Sequence, residues 1–487
     1  MSESANKKNK ETSIIKAFSL TFSVNALGFI VSALMTLILP AIISPAIYGY
    51  WQLYLLYTGY TLYFSFGMTD GAYLRYGGCK YDEVDKSMIK GQFFLILLLN
   101  LILDICLLAI FFSTVGVVEK RFTFLAACIA GLICIPRSLI LMTLLATNRI
   151  SENAYAIFFE RFGNILGILI VLCFRIKRVE ILIYTDLLGK TLSLLLVIFK
   201  ARDIFRVKIV DYKRVIVEGL ENIRSGIKIV LAVLAIVFSV SIVRQNIEAN
   251  FGIESFAKVS FSLSLSNMFT VFINAVAIVL FPVLKRMKPE NQKDVYTSLN
   301  TIFVSVLGAA LIFYEPIRLI LSKLLPAYSD GLLYLGLLFP FFLYDGKMLF
   351  LLTTYFKVLR KENMLLLINF MTLVFATILS YVAVFVLKNL TYAVIVLLLV
   401  QIFRCINAEV YLSKILNKNC TLDIMAELYL TLAFIVSTQV IGSFRGSVFY
   451  LLVYALLILF MRKRIKSALI YMLPSKISSK LKSWHLL

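Results

Sequence analysis

Charged side chains inside long apolar runs are the residues of this sequence that suggest chemistry. The basic ones are Arg137, Arg161, Lys190, Lys258, Arg318, Lys347 and Arg404, and the acidic ones are Asp104, Glu160, Asp186, Asp345 and Glu409. A charge at the centre of a bilayer costs about 2.5–3.5 kcal/mol on insertion scales, so each should face a cavity or an oppositely charged partner. Arginine is notable because its guanidinium binds phosphate oxygens bidentately. The pattern indicates recognition of charged groups within a membrane.

The residue content argues against enzymatic and metal centres. The only histidine, His485, lies almost at the C-terminus, and the seven cysteines include no Cys-x-x-Cys pair. An odd cysteine count spread over apolar runs supports neither a disulfide framework nor a zinc site. There is no P-loop or metalloprotease pattern, and no link is long and acidic enough for a glycan polymerase or glycosyltransferase. We therefore expect no enzymatic activity, no cofactor and no metal.

Apolar runs of membrane-spanning length continue along the whole chain. Hydrophobic residues make up 61% of the 487 and charged residues only 16%, whereas soluble domains carry about 25% charged residues. Because the bilayer core offers no water to the backbone polar groups, a chain that does not close into a barrel can span it only as helices. We predict an all-α polytopic membrane protein with about 14 transmembrane helices. The predicted spans are 14–39, 47–66, 89–113, 122–146, 154–174, 180–199, 226–246, 257–283, 299–321, 331–356, 364–387, 391–412, 424–443 and 447–463.

Lysine and arginine are distributed unevenly between the two sides of this array. With the N-terminus in the cytoplasm, 33 of the 49 lie in inner segments, nine in outer links and seven within spans. Basic residues accumulate on the cytoplasmic side of membrane proteins, so both termini are predicted to be cytoplasmic. The same placement explains the net charge of +22 without nucleic acid. The outer link 175–178 departs from the rule: either it is misplaced or its cations lie at a membrane interface.

A polar stretch divides the array into two sets of six spans. Lys200 to Ser225 follows the sixth span and is mainly basic. Many transporters are built from two such repeats that move against each other. The predicted domains are an N-terminal lobe at 1–200, a basic cytoplasmic linker at 201–225, a C-terminal lobe at 226–412, two added helices at 413–463 and a basic tail at 464–487.

Two stretches carry a family resemblance. The first is the opening hairpin, with the segments Leu39–Pro45, Tyr48–Trp51 and Gly67–Gly78. The second lies in the eighth span, with Phe261–Ser266 and Ala275–Arg286. In these stretches the sequence resembles the polysaccharide-transporter branch of the multidrug/oligosaccharidyl-lipid/polysaccharide (MOP) exporter superfamily, the Wzx-like flippases. The layout of six, six and two spans agrees with that family over the whole chain.

The resemblance implies two six-helix lobes around a central cavity and the function of a lipid-linked oligosaccharide flippase. Such proteins move undecaprenyl-pyrophosphate-linked sugar units from the inner to the outer leaflet by alternating access, driven by an ion gradient. It implies a bacterial inner membrane, a role in O-antigen, lipopolysaccharide or capsule synthesis, and other polysaccharide assembly proteins as partners. It transfers no catalytic residues.

Such a cargo assigns roles to the charges described above. Arg137, Arg161 and Arg404 are the leading candidates for contact with the pyrophosphate. Arg244 and Lys258, near the outer ends of spans seven and eight, are candidates to receive it on the far side. The structural alternative stays open: Arg137 or Arg161 pairs with Glu160 or Asp104, and Arg404 pairs with Glu409.

Three carboxylates are candidates to bind the coupling cation, a proton or sodium. Asp104 has no partner on its own helix. Asp186 lies four residues before Lys190 and therefore on the same helix face. Asp345 lies next to Lys347 in the tenth span. For Asp186 and Asp345 the alternative is a neutral internal ion pair.

Aromatic and amide side chains are candidates to contact the sugar. Tyr57 and Tyr60 belong to a stripe of tyrosines at a spacing of three in the second span, and Asn25 lies in the first. The alternative is interfacial placement or helix packing.

The competing function is a multidrug or small-cation exporter of the same superfamily. The substrate cavity of such an exporter should be dominated by unpaired carboxylates. Here the seven cations within spans rival the five acids, which favours an anionic cargo.

Overall fold

The computed structural model describes residues 27–472, apart from the side chains at 150, 269, 271–272, 274–279, 281–283, 286, 289, 330, 443 and 472. Regular structure in this range is helical throughout. The helices are α1 Leu27–Ile42, α2 Pro45–Thr61, α3 Met68–Tyr76, α4 Lys86–Thr114, α5 Val118–Ala146, α6 Ile150–Phe174, α7 Val179–Lys200, α8 Arg202–Arg206, α9 at 212–251, α10 at 253–286, α11 Pro289–Ala310, α12 Tyr314–Leu324, α13 Ser329–Leu338, α14 Phe341–Lys347, α15 Thr353–Val358, α16 Glu362–Tyr381, α17 Leu390–Leu416, α18 Thr421–Ile435 and α19 Ser443–Met472.

Within the described range, eleven helical stretches are long and apolar enough to cross a membrane. The predicted all-helical membrane fold is therefore confirmed. The count differs from fourteen for identifiable reasons. The stretch Tyr212–Met268 contains parts of two predicted spans, the helix of the second predicted span is only 17 residues long, and the first span is described only from Leu27.

Gly252 separates α9 from α10. Its φ of +83° lies in the left-handed region, which glycine adopts without the steric strain that a side chain would cause. The helical path breaks at this residue, between the seventh and eighth predicted spans. The predicted spans leave a link at this position, and glycine is the residue whose conformation permits it.

The chain forms two compact units, an N-terminal unit Met1–Leu234 and a C-terminal unit Ala235–Leu487. Polar contacts hold the N-terminal unit together outside the predicted spans. Arg75 of α3 donates from Nε to Oδ1 of Asn222 at 2.8 Å and from Nη2 to Glu221 at 2.6 Å. The short α3 is thereby attached to the first turns of α9.

Asp203 forms a second polar contact of this kind. The Tyr81 hydroxyl donates to its Oδ1 at 2.9 Å, and Lys86 pairs with its Oδ2 at 2.8 Å. Burial favours the neutral acid, but these two hydrogen bonds outweigh it, so the pKa of Asp203 lies below its usual value. The contact joins α8 to the beginning of α4.

Aromatic side chains fill the core of the C-terminal unit. The rings of Tyr314 and Phe434 meet edge to face with centroids 5.3 Å apart, and Phe434 meets Tyr450 in the same way at 5.5 Å. Phe339 completes the group at 5.5 Å from Tyr314. Edge-to-face aromatic pairs add about 0.5–1.5 kcal/mol beyond their buried area. This core packs α12, α13, α18 and α19 together.

Candidate functional site

Four helices of the N-terminal unit meet around a set of buried polar groups. Helix α5 packs against α2, α6 and α7, and α6 packs closely along α7. The close approach of α6 and α7 depends on two glycines: a Cβ on Gly163 would lie 2.3 Å from the carbonyl oxygen of Thr185, and one on Gly189 would lie 2.8 Å from that of Glu160. Small residues at helix contacts allow backbones in membranes to approach in this way.

The N-unit polar cluster consists of Tyr54, Arg137, Glu160, Asp186 and Lys190. Arg137 pairs through Nη2 with Glu160 at 2.8 Å, and Lys190 pairs with Asp186 on its own helix. The Tyr54 hydroxyl donates to Oδ2 of Asp186 at 2.6 Å. Two cations and two anions thus neutralise each other inside the bundle.

Ser193 orients Arg137 within this cluster. Arg137 donates from Nη1 to the Ser193 hydroxyl at 2.8 Å, and that hydroxyl donates to the carbonyl oxygen of Ala156, also at 2.8 Å. The Cys134 thiol, one turn before Arg137, lies close enough to interact electrostatically with both ion pairs. The guanidinium is therefore fixed between α6 and α7.

Arg161 adds a positive charge beside the cluster. It follows Glu160 on α6, interacts electrostatically with that carboxylate and is half-buried. Its Nε lies 3.6 Å from the position that a Cβ on Gly28 of α1 would occupy. Among the side chains that the structure describes, it forms no ion pair within 4.0 Å. The cluster together with Arg161 carries one more cation than anions.

Arg404 and Asp345 lie together in the C-terminal unit. Gln401 donates to Oδ1 of Asp345 at 2.7 Å, and Nη1 of Arg404 lies 4.0 Å from the same oxygen. Arg404 also donates from Nε to Oδ1 of Asn369 at 3.1 Å. The alternative ion pairs, Arg404 with Glu409 and Asp345 with Lys347, were therefore wrong. Both Glu409 and Lys347 belong to another cluster, described below.

Arg244 and Lys258 flank the break at Gly252. Arg244 donates from Nη2 to the Ser260 hydroxyl at 2.9 Å, and its guanidinium lies 5.1 Å from the centroid of the Phe256 ring. The stem of Lys258 packs near Gly331. A Cβ added to Gly331 would lie 3.1 Å from the Cβ of Lys258. Arg244, Lys258 and Arg404 belong to the C-terminal unit, and Arg137 and Arg161 belong to the N-terminal unit. The five basic candidates are therefore divided between the two units.

The aromatic candidates are mainly packed against neighbouring side chains. Tyr57 is buried, with its ring edge-on to Phe111 at 5.8 Å and to Phe124 at 5.3 Å. Tyr60 is half-buried, and Asn25 lies outside the described residues. The tyrosine that joins the cluster is Tyr54, one step earlier in the same stripe. The spacing of three residues identified the stripe but not which member faces the charges.

Asp104 lies apart from the N-unit polar cluster, in the middle of α4. Its side chain is 2% exposed, and neither carboxylate oxygen has a hydrogen-bond partner among the described residues. The thiol of Cys128 on α5 is its polar neighbour. Asn100, one turn earlier, is also fully buried. A buried carboxyl group without a charged partner is normally neutral or binds a cation.

The sequence matches no protein-family model and no curated protein. The solved structures that are similar to it in fold include a flippase and a multidrug transporter. A lipid II flippase, MurJ, in an inward closed conformation superimposes with a TM-score of 0.63 at 13% identity, over 93% of this chain and 100% of that one. An inward-facing multidrug resistance MATE family transporter of the MOP superfamily gives a TM-score of 0.60 at 14% identity, over 82% and 98%. The chain therefore has the fold of these two membrane proteins.

The buried pair of Asp186 and Lys190 can be tested by substitution. Asp186→Asn should lower the free energy of unfolding by about 3–5 kcal/mol, because it leaves the Lys190 ammonium buried without its carboxylate. Adding Lys190→Met should recover most of this loss. The measurement is reversible unfolding in detergent micelles. The exposed pair of Asp294 and Lys418 is the control, since Asp294→Asn should cost less than about 1 kcal/mol. Equal losses for the single and double variants would contradict the pairing.

The contact of α6 with α7 gives a second test. Gly163→Ala should destabilise the protein by about 1–3 kcal/mol, because its methyl group would collide with backbone. Gly59→Ala on α2 is the matched control, since nothing lies within 4 Å of its Cβ position and alanine favours helix. The same unfolding measurement applies, and an unchanged Gly163→Ala variant would contradict the close approach.

Proposed function

We propose that this chain is a membrane transporter that moves undecaprenyl-pyrophosphate-linked oligosaccharide units from the inner to the outer leaflet. Transport would occur by alternating access and be driven by a gradient of protons or sodium. The protein would act in a bacterial inner membrane, in the synthesis of a surface polysaccharide such as O-antigen or capsule, together with other polysaccharide assembly proteins. The fold supports the broad class of transporter.

The surplus positive charge in the N-terminal unit is the observation that carries the choice of cargo. Among the described residues, Arg137, Arg161 and Lys190 lie with two carboxylates, Glu160 and Asp186. An unbalanced cation inside a membrane is expensive, and an anionic ligand would compensate it. Arg161 suits this role because it forms no ion pair within the described chain, whereas Arg137 is already held by Glu160 and Ser193.

Charge-assisted hydrogen bonds would bind the headgroup. The Arg161 guanidinium would contact pyrophosphate oxygens bidentately, and Arg137 would keep the surrounding helices in register. Arg244, Lys258 and Arg404 remain candidates for later contacts along the path. Tyr57 and Tyr60 remain candidates for stacking on sugar rings.

A multidrug or small-cation exporter is the second candidate. It is favoured by the carboxylates of the C-terminal unit, where Glu409 and Glu427 share the single ammonium group of Lys347. A site with excess negative charge suits a cationic ligand. Deleting the gene distinguishes the two functions: loss of surface glycan with unchanged drug tolerance supports the flippase, and the reverse result supports the exporter.

The role of Arg161 is tested by Arg161→Gln. We expect flipping of the lipid-linked oligosaccharide in proteoliposomes to fall about tenfold to hundredfold, because a hydrogen bond to a charged group contributes about 1.5–3 kcal/mol. Folding should be little affected, since Glu160 keeps its ion pair with Arg137 and no other described carboxylate pairs with Arg161. Arg161→Lys should recover only part of the activity, because lysine lacks the planar fork.

Arg178→Gln is the matched control for this experiment. Arg178 is exposed just before α7 and lies outside the cluster. It should retain normal flipping. If Arg161→Gln flips as fast as the control, the assignment of Arg161 to the headgroup is wrong.

Asp104 is the strongest candidate for ion coupling, because Asp186 and Asp345 already accept hydrogen bonds. Asp104→Asn preserves shape while removing the titratable group. We expect gradient-driven accumulation to be lost while exchange of cargo across the membrane without a gradient persists. Asp82→Asn, at an exposed carboxylate, is the control. Full gradient dependence in Asp104→Asn would exclude this role.

A further inference from the structure

A second buried cluster of charges lies in the C-terminal unit, between α11, α14, α17 and α18. Lys347 is fully buried, and its Nζ donates to Oε2 of Glu409 at 2.6 Å and to Oε1 of Glu427. The Asn300 amide donates to Oε1 of Glu409 at 2.7 Å. We call Lys347, Glu409, Glu427 and Asn300 the C-unit polar cluster. None of its side chains is more than 1% exposed.

The charges of the C-unit polar cluster do not balance. Two carboxylates share one ammonium group, which leaves one negative charge if both acids are ionised. The adjacent ion pair does not compensate it, because Arg464 pairs with Asp423 at 2.9 Å and the two cancel. An uncompensated charge in a fully buried site costs several kcal/mol and is normally removed by protonation.

The hydrogen bonds indicate which oxygen takes the proton. Both oxygens of Glu409 accept hydrogen bonds, from Asn300 and from Lys347. Oε1 of Glu427 accepts from Lys347, but Oε2 has no partner among the described residues. Two further buried polar atoms of the neighbouring helix α11 also lack partners in this range, the Tyr296 hydroxyl and Oδ1 of Asn300.

Charged and titratable groups surround Glu427 on the helices packed against α18. They are Lys347 and Tyr344 on α14, Glu409 and Cys405 on α17, Tyr296 on α11, Asp423 on α18 itself and Arg464 on α19. Arg464 is paired with Asp423, so among the described residues Lys347 is the cation that pairs with Glu427, and the surroundings disfavour a second full negative charge.

A proton fits this cluster better than a metal ion. Metal cations such as calcium or magnesium require about six or more oxygen ligands, whereas here the ammonium group already occupies the space between the carboxylates. The described residues contain no group of three or more His, Cys, Asp or Glu arranged to hold a metal. A proton needs a single free oxygen, and Oε2 of Glu427 provides it.

A row of polar side chains on α18 extends from the cluster toward the protein surface. Asp423, Glu427 and Thr431 follow each other at intervals of four residues on one buried face of α18. The outermost, Asp423, pairs with Arg464, whose side chain is 27% exposed. The innermost, Thr431, shares a hydrogen bond of 2.7 Å with the Tyr344 hydroxyl. The exposed end lies at the link between α17 and α18, which the charge distribution predicts to be cytoplasmic.

We propose that the C-unit polar cluster is a proton-binding site. One proton from the cytoplasmic aqueous phase adds to a carboxylate oxygen of Glu427, forms a neutral acid beside the Lys347–Glu409 ion pair, and returns by the same route past Asp423. The proposal does not depend on the identity of the cargo.

Infrared spectroscopy of the full-length protein in lipid nanodiscs tests this proposal. A protonated carboxyl group has a C=O stretch that ionised carboxylates lack and that shifts in D₂O. The wild-type protein should show this band at neutral pH. Glu427→Gln should remove one carboxyl from it, because Glu409 and Lys347 then form a neutral pair. Lys347→Met should have the opposite effect and raise the cluster from one protonated carboxyl to two.

One control and one replacement variant keep the assignment specific. Glu362→Gln, the control, removes an exposed carboxylate at the start of α16 and should leave the band unchanged. If Glu427→Gln does not fold, Glu409→Gln takes its place, since it also leaves one carboxylate for one ammonium. A decrease of the band by one carboxyl in either variant supports the proposal. A wild-type protein without the band at neutral pH, or a band that neither substitution reduces, overturns it.

This experiment is independent of transport. It requires no lipid-linked oligosaccharide, so a protein that fails every flipping assay can still contain the proton site. Conversely, a functional flippase whose infrared band is unaffected by these substitutions would retain its proposed function and lose the proton site.

Discussion

Charge neutralisation in a medium without water is the constraint on which the interior of this protein depends. Apolar side chains make each helix compatible with lipid but give little preference for one neighbour over another, because lipid tails are equally apolar. The buried ion pairs supply that preference. Arg137 joins α5 to α6 through Glu160, and Lys347 joins α14 to both α17 and α18. Helices with unmatched charges would have no stable place in the bundle.

The places where neutralisation is incomplete are the functional candidates. Among the described residues, Arg161 is a cation without an ion pair, Asp104 is a carboxyl group without a charged partner, and Glu427 is a second carboxylate on a shared ammonium group. Under the proposals made above, each imbalance is matched by a ligand of opposite charge: an anionic headgroup for the first, and a proton or another cation for the other two. A flippase driven by an ion gradient requires both kinds of site.

The sequence predicted the helices well because spanning length and hydropathy are properties of each segment alone. It also predicted that Asp186 and Lys190 face each other, since residues four apart lie on one face of a helix. The proposed link between Asp345 and Lys347 was wrong for the same geometric reason: residues two apart point in different directions. The spacing alone could have excluded that pair.

Contacts between helices that lie far apart along the chain could not be predicted from the sequence. Lys347 reaches Glu409 and Glu427, which are 62 and 80 positions away along the chain. Their meeting depends on the register and rotation of three helices, which hydropathy does not specify. Glu427 was not singled out because it lies near the beginning of a span, where a charge usually indicates an interface. Tyr54 was similarly indistinguishable from its neighbours in the tyrosine stripe.

The surroundings of Asp104, the N-unit polar cluster and the C-unit polar cluster each contain a native thiol. Cys128 lies beside Asp104, Cys134 beside the N-unit polar cluster and Cys405 beside Lys347, and all three are buried and free. Alkylating reagents attack the thiolate and need access through water. The rate at which each cysteine is alkylated therefore reports how often water enters its own region. The protein carries internal hydration probes at its charged centres, so the entry of water into each can be followed without introducing a foreign label.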